Sequence, residues 1–235
     1  MIKDCDGREW RTHINVALAL SDLIGSGLTE RVMDGFAGLD GRIDINNLRE
    51  LCRQIGKSSM ASDQSLTIEF LCPVLPAGYE RGLASEPLVS YNVCNRRRSI
   101  RQSFRTRLPT RCQYAKGDRC THAQHIDIEI ALQSSKPTSV AVLHKIVERF
   151  ANCSMYGLLK LDEALELPVE CDGTEKYVQT IAEEIYIQLR ARASVQGAYV
   201  QCESAESVHN YRGVGQVSDL EWSSDNLYLN DSKDY

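Results

Sequence analysis

Ile126, Ile128, Ile130 and Leu132 stand at every second position, with Asp127 and Glu129 between them. A period of two throws the apolar side chains to one face and the carboxylates to the other, so this segment reads as a half-buried strand with one wet face. Alternation at Ile14, Val16, Leu18 and Leu20 predicts a strand over 13–20, and Leu66, Ile68, Phe70 and Cys72 predict another. Residues 88–95 and 99–108 read as strands joined by the basic cluster Arg96-Arg97-Arg98, and 196–203 as a further strand through Ala198, Val200 and Cys202. Helical spacing marks Ile45, Leu48, Leu51, Cys52 and Ile55, with Asp44 as N-cap and Gly56 as stop. It recurs at Val140, Leu143, Ile146, Val147 and Phe150, and again at Val178, Ile181, Ile185 and Leu189. Leu23 to Arg31 reads as a Gly/Ser-containing loop entering a helix near Thr29. Strand–helix–strand followed by strand–helix–helix–strand predicts an α+β chain of two related units with antiparallel sheets, 1–80 and 81–217. The acidic tail 218–235 is expected to pack poorly.

A chain of 235 residues can bury a proper core in one or two domains, and its 43% apolar and 25% charged content is that of an ordinary globular protein. A net charge of -5 argues against bulk nucleic-acid binding. No apolar run approaches the roughly 18 residues of a membrane helix, and no N-terminal signal is visible, so a cytoplasmic protein without membrane contact is expected. The nine cysteines are odd in number, irregularly spaced and set mostly in apolar periodic runs, which favours reduced structural thiols over a disulfide framework.

Glu206-Ser207-Val208-His209-Asn210 follows the 196–203 strand, while Cys112, Lys116, Cys120 and His122 precede the 126–132 strand. A carboxylate and an imidazole three residues apart, with a thiol and a second imidazole, can build a divalent-metal site that hydrolyses a substrate. Taken singly, Cys112 reads better as a small buried thiol. His13 and His144 read as structural or surface residues, and His125 stays open.

In this order the motifs resemble those of the archaeal-type (type IB) GTP cyclohydrolase I family. That family carries Cys-Pro-Cys-Ser-Lys and then His-Asn-Gln; here Arg111-Cys112-Gln113-Tyr114-Ala115-Lys116 and His122-Ala123-Gln124 occupy those places. Cys153-Ser154-Met155-Tyr156-Gly157-Leu158-Leu159-Lys160 is similar to the family's Cys-Glu-Leu-Tyr segment, and Glu206 to Asn210 to its Glu-Ser-Ile-His-Asn ending. The resemblance covers residues 90–216 and is one of pattern over 13–75. It implies tandem tunnelling-fold (T-fold) units, antiparallel sheets with helices packed on one face, joined between subunits into a homo-oligomer, a tetramer. It also implies a hydrolase acting on cyclic amidines that opens a guanine nucleotide at C8, releases formate and leaves a pterin-type product. Cys112, Lys116, His122, Glu206 and His209 would be its catalytic residues. Cys112, His122 and His209 would bind a divalent metal (Zn, Fe or Mn). Ser26, Thr29 and Arg31 would hold phosphates, and Glu170 either grips the purine N–H edge or is an ordinary loop carboxylate.

The chain also departs from the family. Tyr114 replaces the second motif cysteine and Ser154 the glutamate, while Gly27 stands where the phosphate-binding loop has His, with Glu30 nearby. A lost cationic donor and an added carboxylate disfavour a triphosphate. Arg96 to Arg98, Arg101 and Arg105 either replace that charge or form the wet face of a hairpin. Three readings follow: a GTP cyclohydrolase, a diverged cyclohydrolase acting on another purine nucleotide or nucleoside, or a non-catalytic purine- or pterin-binding protein. A nitrile reductase, which shares the fold and catalytic thiol, ranks below them because no nicotinamide pocket is visible.

Overall fold

The computed structural model describes residues 1–4, 6–10, 12–20, 43–59, 64–72, 74, 86–94, 98–111, 123–151, 176–205 and 212–220. The short strands β1 (Ile2–Lys3), β2 (Glu9–Trp10) and β4 (Ile43–Asp44) form a small sheet in the order β2-β1-β4. β3 (Ile14–Leu20), β5 (Gln64–Leu71), β6 (Leu88–Cys94), β7 (Ile100–Arg111), β8 (Ala123–Ser134), β9 (Val195–Ala205) and β10 (Arg212–Ser218) form a seven-stranded sheet. Its order is β10-β9-β8-β7-β6-β5-β3, with antiparallel neighbours throughout. The helices are α1 (Leu48–Ser59), α2 (Val140–Glu148) and α3 (Val178–Arg190). The chain is therefore α+β, and the β5–β6 pairing runs one sheet through residues before and after position 80.

Period-two patterning decides the faces. Ile126, Ile128, Ile130 and Leu132 are buried, and so are Ile100, Phe104 and Leu108 of β7 and Val89, Tyr91 and Val93 of β6. The helices cover this same side: Leu48, Leu51 and Cys52 of α1, Leu143 and Val147 of α2, and Ile181, Ile185 and Leu189 of α3 all join one core cluster. Gln102 is a buried amide within it, donating to the Thr138 carbonyl at 2.8 Å and accepting from the Thr138 N–H at 2.8 Å. Both ends of the amide are thereby satisfied, and the approach to α2 is fixed to β7.

Several boundaries differ from the sequence reading. Asp44 does cap, accepting from the Asn46 N–H at 2.9 Å, but a 3-10 turn (Ile45–Asn47) intervenes before α1. Gly56 does not stop α1, which continues to Ser59. A helical glycine costs about 1 kcal/mol, which a packed helix can absorb. β7 extends to Arg111 through Pro109, and β10 was not expected at all. Its glycines explain both its weak signal and its packing. A Cβ on Gly215 would lie 2.5 Å from backbone atoms of Val178 and Gln179, so α3 reaches the sheet only because that Cβ is absent.

The start of the acidic tail is pinned. Asp219 accepts from the Ala198 N–H at 2.7 Å and pairs with Arg190 at 2.8 Å, and Leu220 lies over Gly197. Residues 221–235 lie outside the described residues. Cys52, Cys72 and Cys202 are buried, as expected of structural thiols, and burial pushes the Cys202 thiol up to about 12. No helix among the described residues is long and apolar enough to cross a membrane.

Candidate functional site

Strand register gathers a set of chain ends at one end of the large sheet. Arg111, the last residue of β7, is the Cα partner of Ala123, the first of β8. His125 pairs with Ala205, the last residue of β9, and Ala205 pairs with Arg212, the first of β10. The β7–β8 and β9–β10 connections therefore both leave the sheet at this end. Residues 112–122 and 206–211 belong to those connections and lie outside the described residues.

This governs every residue singled out for chemistry. Cys112, Lys116, His122, Glu206 and His209 lie outside the described residues, as do Glu170, Ser26, Thr29 and Arg31. So do the departures Tyr114, Ser154, Gly27 and Glu30. Among the described residues no group of three or more His, Cys, Asp or Glu side chains is arranged to hold a metal. His125 is exposed on β8, while His144 is buried in α2, with Nδ1 3.7 Å from a Glu148 carboxylate oxygen. Desolvation holds the His144 imidazole below its ordinary pKa, and Glu148 only partly offsets this.

On the face away from the helices, the same end carries a charged row. Arg107 donates through Nε and Nη2 to the two carboxylate oxygens of Asp127, at 2.6 and 3.0 Å. Arg212 donates to Glu203 at 2.7 Å. Asp127 and Glu203 are direct cross-strand partners. Like charges in that position repel, and the flanking guanidiniums offset the repulsion. One row further in, Arg105 donates to Glu129 at 3.1 and 2.9 Å. The sequence reading identified Asp127 and Glu129 as a wet face but missed the Arg107–Asp127–Glu203–Arg212 row. Its signal was Arg105 and Arg107, two residues apart on a strand whose partner shows carboxylates at the same period.

Comparison with known proteins gives this geometry its context. The family model described as "Type I GTP cyclohydrolase folE2" matches residues 31–214. Curated relatives include a GTP cyclohydrolase FolE2 of Nitrosospira multiformis, 27% identical over 106 residues, covering 45% of this chain and 40% of the relative. The FolE2 of Neisseria gonorrhoeae is 24% identical over 97 residues, covering 41% of this chain and 38% of the relative. FolE2 1 of Dechloromonas aromatica is 28% identical over 108 residues, covering 45% and 40%. The matched stretch thus spans well under two thirds of these relatives. The family match takes in β4 to β9 and both connections at the motif-bearing end of the sheet, and this chain belongs to the type I GTP cyclohydrolase FolE2 family.

Proposed function

We propose that this chain hydrolyses the imidazole ring of a guanine nucleotide at C8, releasing formate and leaving a pterin-type product. The observation that carries the reading is the register at the sheet end: Arg111 with Ala123, His125 with Ala205, and Ala205 with Arg212. These are the anchors of the segments bearing Cys112, His122, Glu206 and His209.

The donor set fits a divalent cation such as Zn, Fe or Mn, held by Cys112, His122 and His209 as thiolate and neutral imidazoles. Arg111 and Ala123 are direct partners, so their Cα atoms are about 5 Å apart. Cys112 and His122 are their immediate neighbours in sequence, one peptide bond away. A cation there supplies Lewis acidity that makes water nucleophilic near neutral pH. Glu206 would complete the site or move protons, and Lys116 would balance negative charge as the ring opens. Glu170 would accept from the N–H edge of the base, while Ser26, Thr29 and Arg31 would hold phosphate. The edge strands among the described residues, β3 and β10, suit a tandem T-fold chain that closes its sheet against other copies, as a homotetramer.

A second reading, a cyclohydrolase acting on another purine nucleotide or nucleoside, is favoured by Tyr114, Ser154, Gly27 and Glu30. One experiment addresses both. Metal-reconstituted protein and its Cys112→Ala variant are incubated with guanine and other purine nucleotides and nucleosides, and formate, ultraviolet spectrum, metal content and light-scattering mass are followed. Formate from GTP, with metal and activity lost in the variant and a tetrameric mass, is expected. Formate only from another purine selects the second reading. No ring opening with any purine and any divalent metal leaves a binding protein.

A further inference from the structure

Arg98, the described residue of the basic cluster, lies at the wrong end of the sheet to serve the motif segments of its own chain. Arg98 sits just before β7, whose 12 residues end at Arg111. At about 3.3 Å per residue these ends are roughly 36 Å apart, far beyond an arginine side chain. Arg105 lies further from that end and is only 34% exposed beside Glu129. Besides Arg111, which ends β7, the described arginines near the motif-bearing end are Arg107, on the outward face of β7, and Arg212, the first residue of β10.

We propose that Arg107 and Arg212 together form an anchor for the phosphate of the nucleotide. This inference rests on the guanine-nucleotide reading above and names residues that the sequence reading did not. Both side chains stay open to solvent, 63% and 72% exposed. Each also donates to a carboxylate, Arg107 to Asp127 and Arg212 to Glu203. Such exposed pairs contribute little to stability, so their guanidiniums are available to a stronger acceptor. A planar guanidinium matches phosphate oxygens in charge and geometry. The four groups behave as one cluster: beyond its Glu203 partner, the Arg212 guanidinium also senses the attraction of Asp127 and the repulsion of Arg107. An anion near both arginines relieves that repulsion. Asp127 and Glu203 stay in place, however, and resist accumulated negative charge. The first phosphate therefore gains most, and further phosphates add little.

The test uses the full-length metal-loaded protein and isothermal titration with guanosine, GMP and GTP. Charge-balanced variants, Arg107→Gln with Asp127→Asn and Arg212→Gln with Glu203→Gln, avoid leaving a lone carboxylate in the row. Circular dichroism melts check that they fold. Wild type is expected to bind GMP more tightly than guanosine and GTP within about tenfold of GMP. Each variant should lose about fivefold to tenfold in GMP and GTP affinity, with guanosine affinity unchanged and a weaker salt dependence. Nucleotide affinity unchanged in the variants, or guanosine affinity falling in parallel, overturns the anchor. Wild type that binds guanosine and GTP equally while releasing formate overturns the anchor and leaves the ring chemistry standing. Wild type that binds none of the three and releases no formate overturns both.

Discussion

The two faces of the seven-stranded sheet follow opposite rules. On the helix-covered face, Leu66, Ile68, Val89, Tyr91, Phe104, Ile130 and Val200 are all fully buried. On the other face, β7 to β10 present Arg105, Arg107, Asp127, Glu129, Glu203 and Arg212, paired across strands and partly open to solvent. The apolar face sets the register, because a one-residue slip would turn every buried side chain outward. The charged face contributes little to that choice. It is therefore free to carry charged side chains, and the arginines beside the motif-bearing end are among them.

The contrast breaks first if the buried face proves tolerant. Phe104 lies between Val89 and Ile130 in register and is fully buried. Phe104→Ala should cost about 3–5 kcal/mol, read as a fall in the urea midpoint. A loss below about 1 kcal/mol would mean the inner face is not the dominant source of stability. Gly215 tests the same face at its edge. Because its missing Cβ would meet the α3 backbone at 2.5 Å, Gly215→Ala should cost about 1–3 kcal/mol and loosen α3 against β10. Unchanged amide-exchange protection in α3 and β10 would show that the helix can step back at no cost.

The two faces were not equally legible from sequence. β8 announced itself because Ile126 to Leu132 combine strict alternation with β-branched residues. The last residues of β7 did not, since Pro109 argues against a central strand. β10 was invisible for a physical reason: Gly213 and Gly215 are poor strand formers, and at Gly215 the helix backbone comes too close for a side chain. The tail reading failed at Asp219 because an isolated acid in a polar stretch gives no hint of the Ala198 N–H and Arg190 guanidinium that receive it. The family was legible only through resemblance: Cys112, His122 and Glu206-x-x-His209 are too sparse to specify a reaction by spacing alone. The charged row needed a register that no local pattern supplies.

His144 gives a smaller, pH-gated effect on the covered side. Its imidazole is buried and Nε2 has no hydrogen-bond partner among the described residues, and burial disfavours the charged form in the fold. The unfolded chain takes up its proton near the ordinary value of about 6.5, whereas the folded chain does so lower. Stability is therefore full above that ordinary value and declines as pH falls through it toward the depressed folded value. His144→Leu should flatten this part of the stability profile. An identical acid slope in the variant would assign the decline to other groups.

The smallest effect is expected on the open face, at Arg105 and Glu129. Both arginine contacts go to a single carboxylate oxygen, and the side chains are 34% and 31% exposed. Water competes for both groups, so the pair should contribute no more than about 1 kcal/mol. Neutralising both, as Arg105→Gln with Glu129→Gln, should move the urea midpoint slightly, and less still in high salt. Tyr199 offers an independent reading. Burial raises its hydroxyl pKa first, Glu129 raises it further, and Arg105 opposes. The Glu129→Gln single variant should therefore lower the pKa of Tyr199 and Arg105→Gln should raise it, as followed by ultraviolet absorbance in alkali. If the double variant instead lost several kcal/mol, the outer ion pairs would be structural in the same sense as Phe104. Arg107 and Arg212 would then be better understood as braces for the sheet than as groups held ready for a nucleotide.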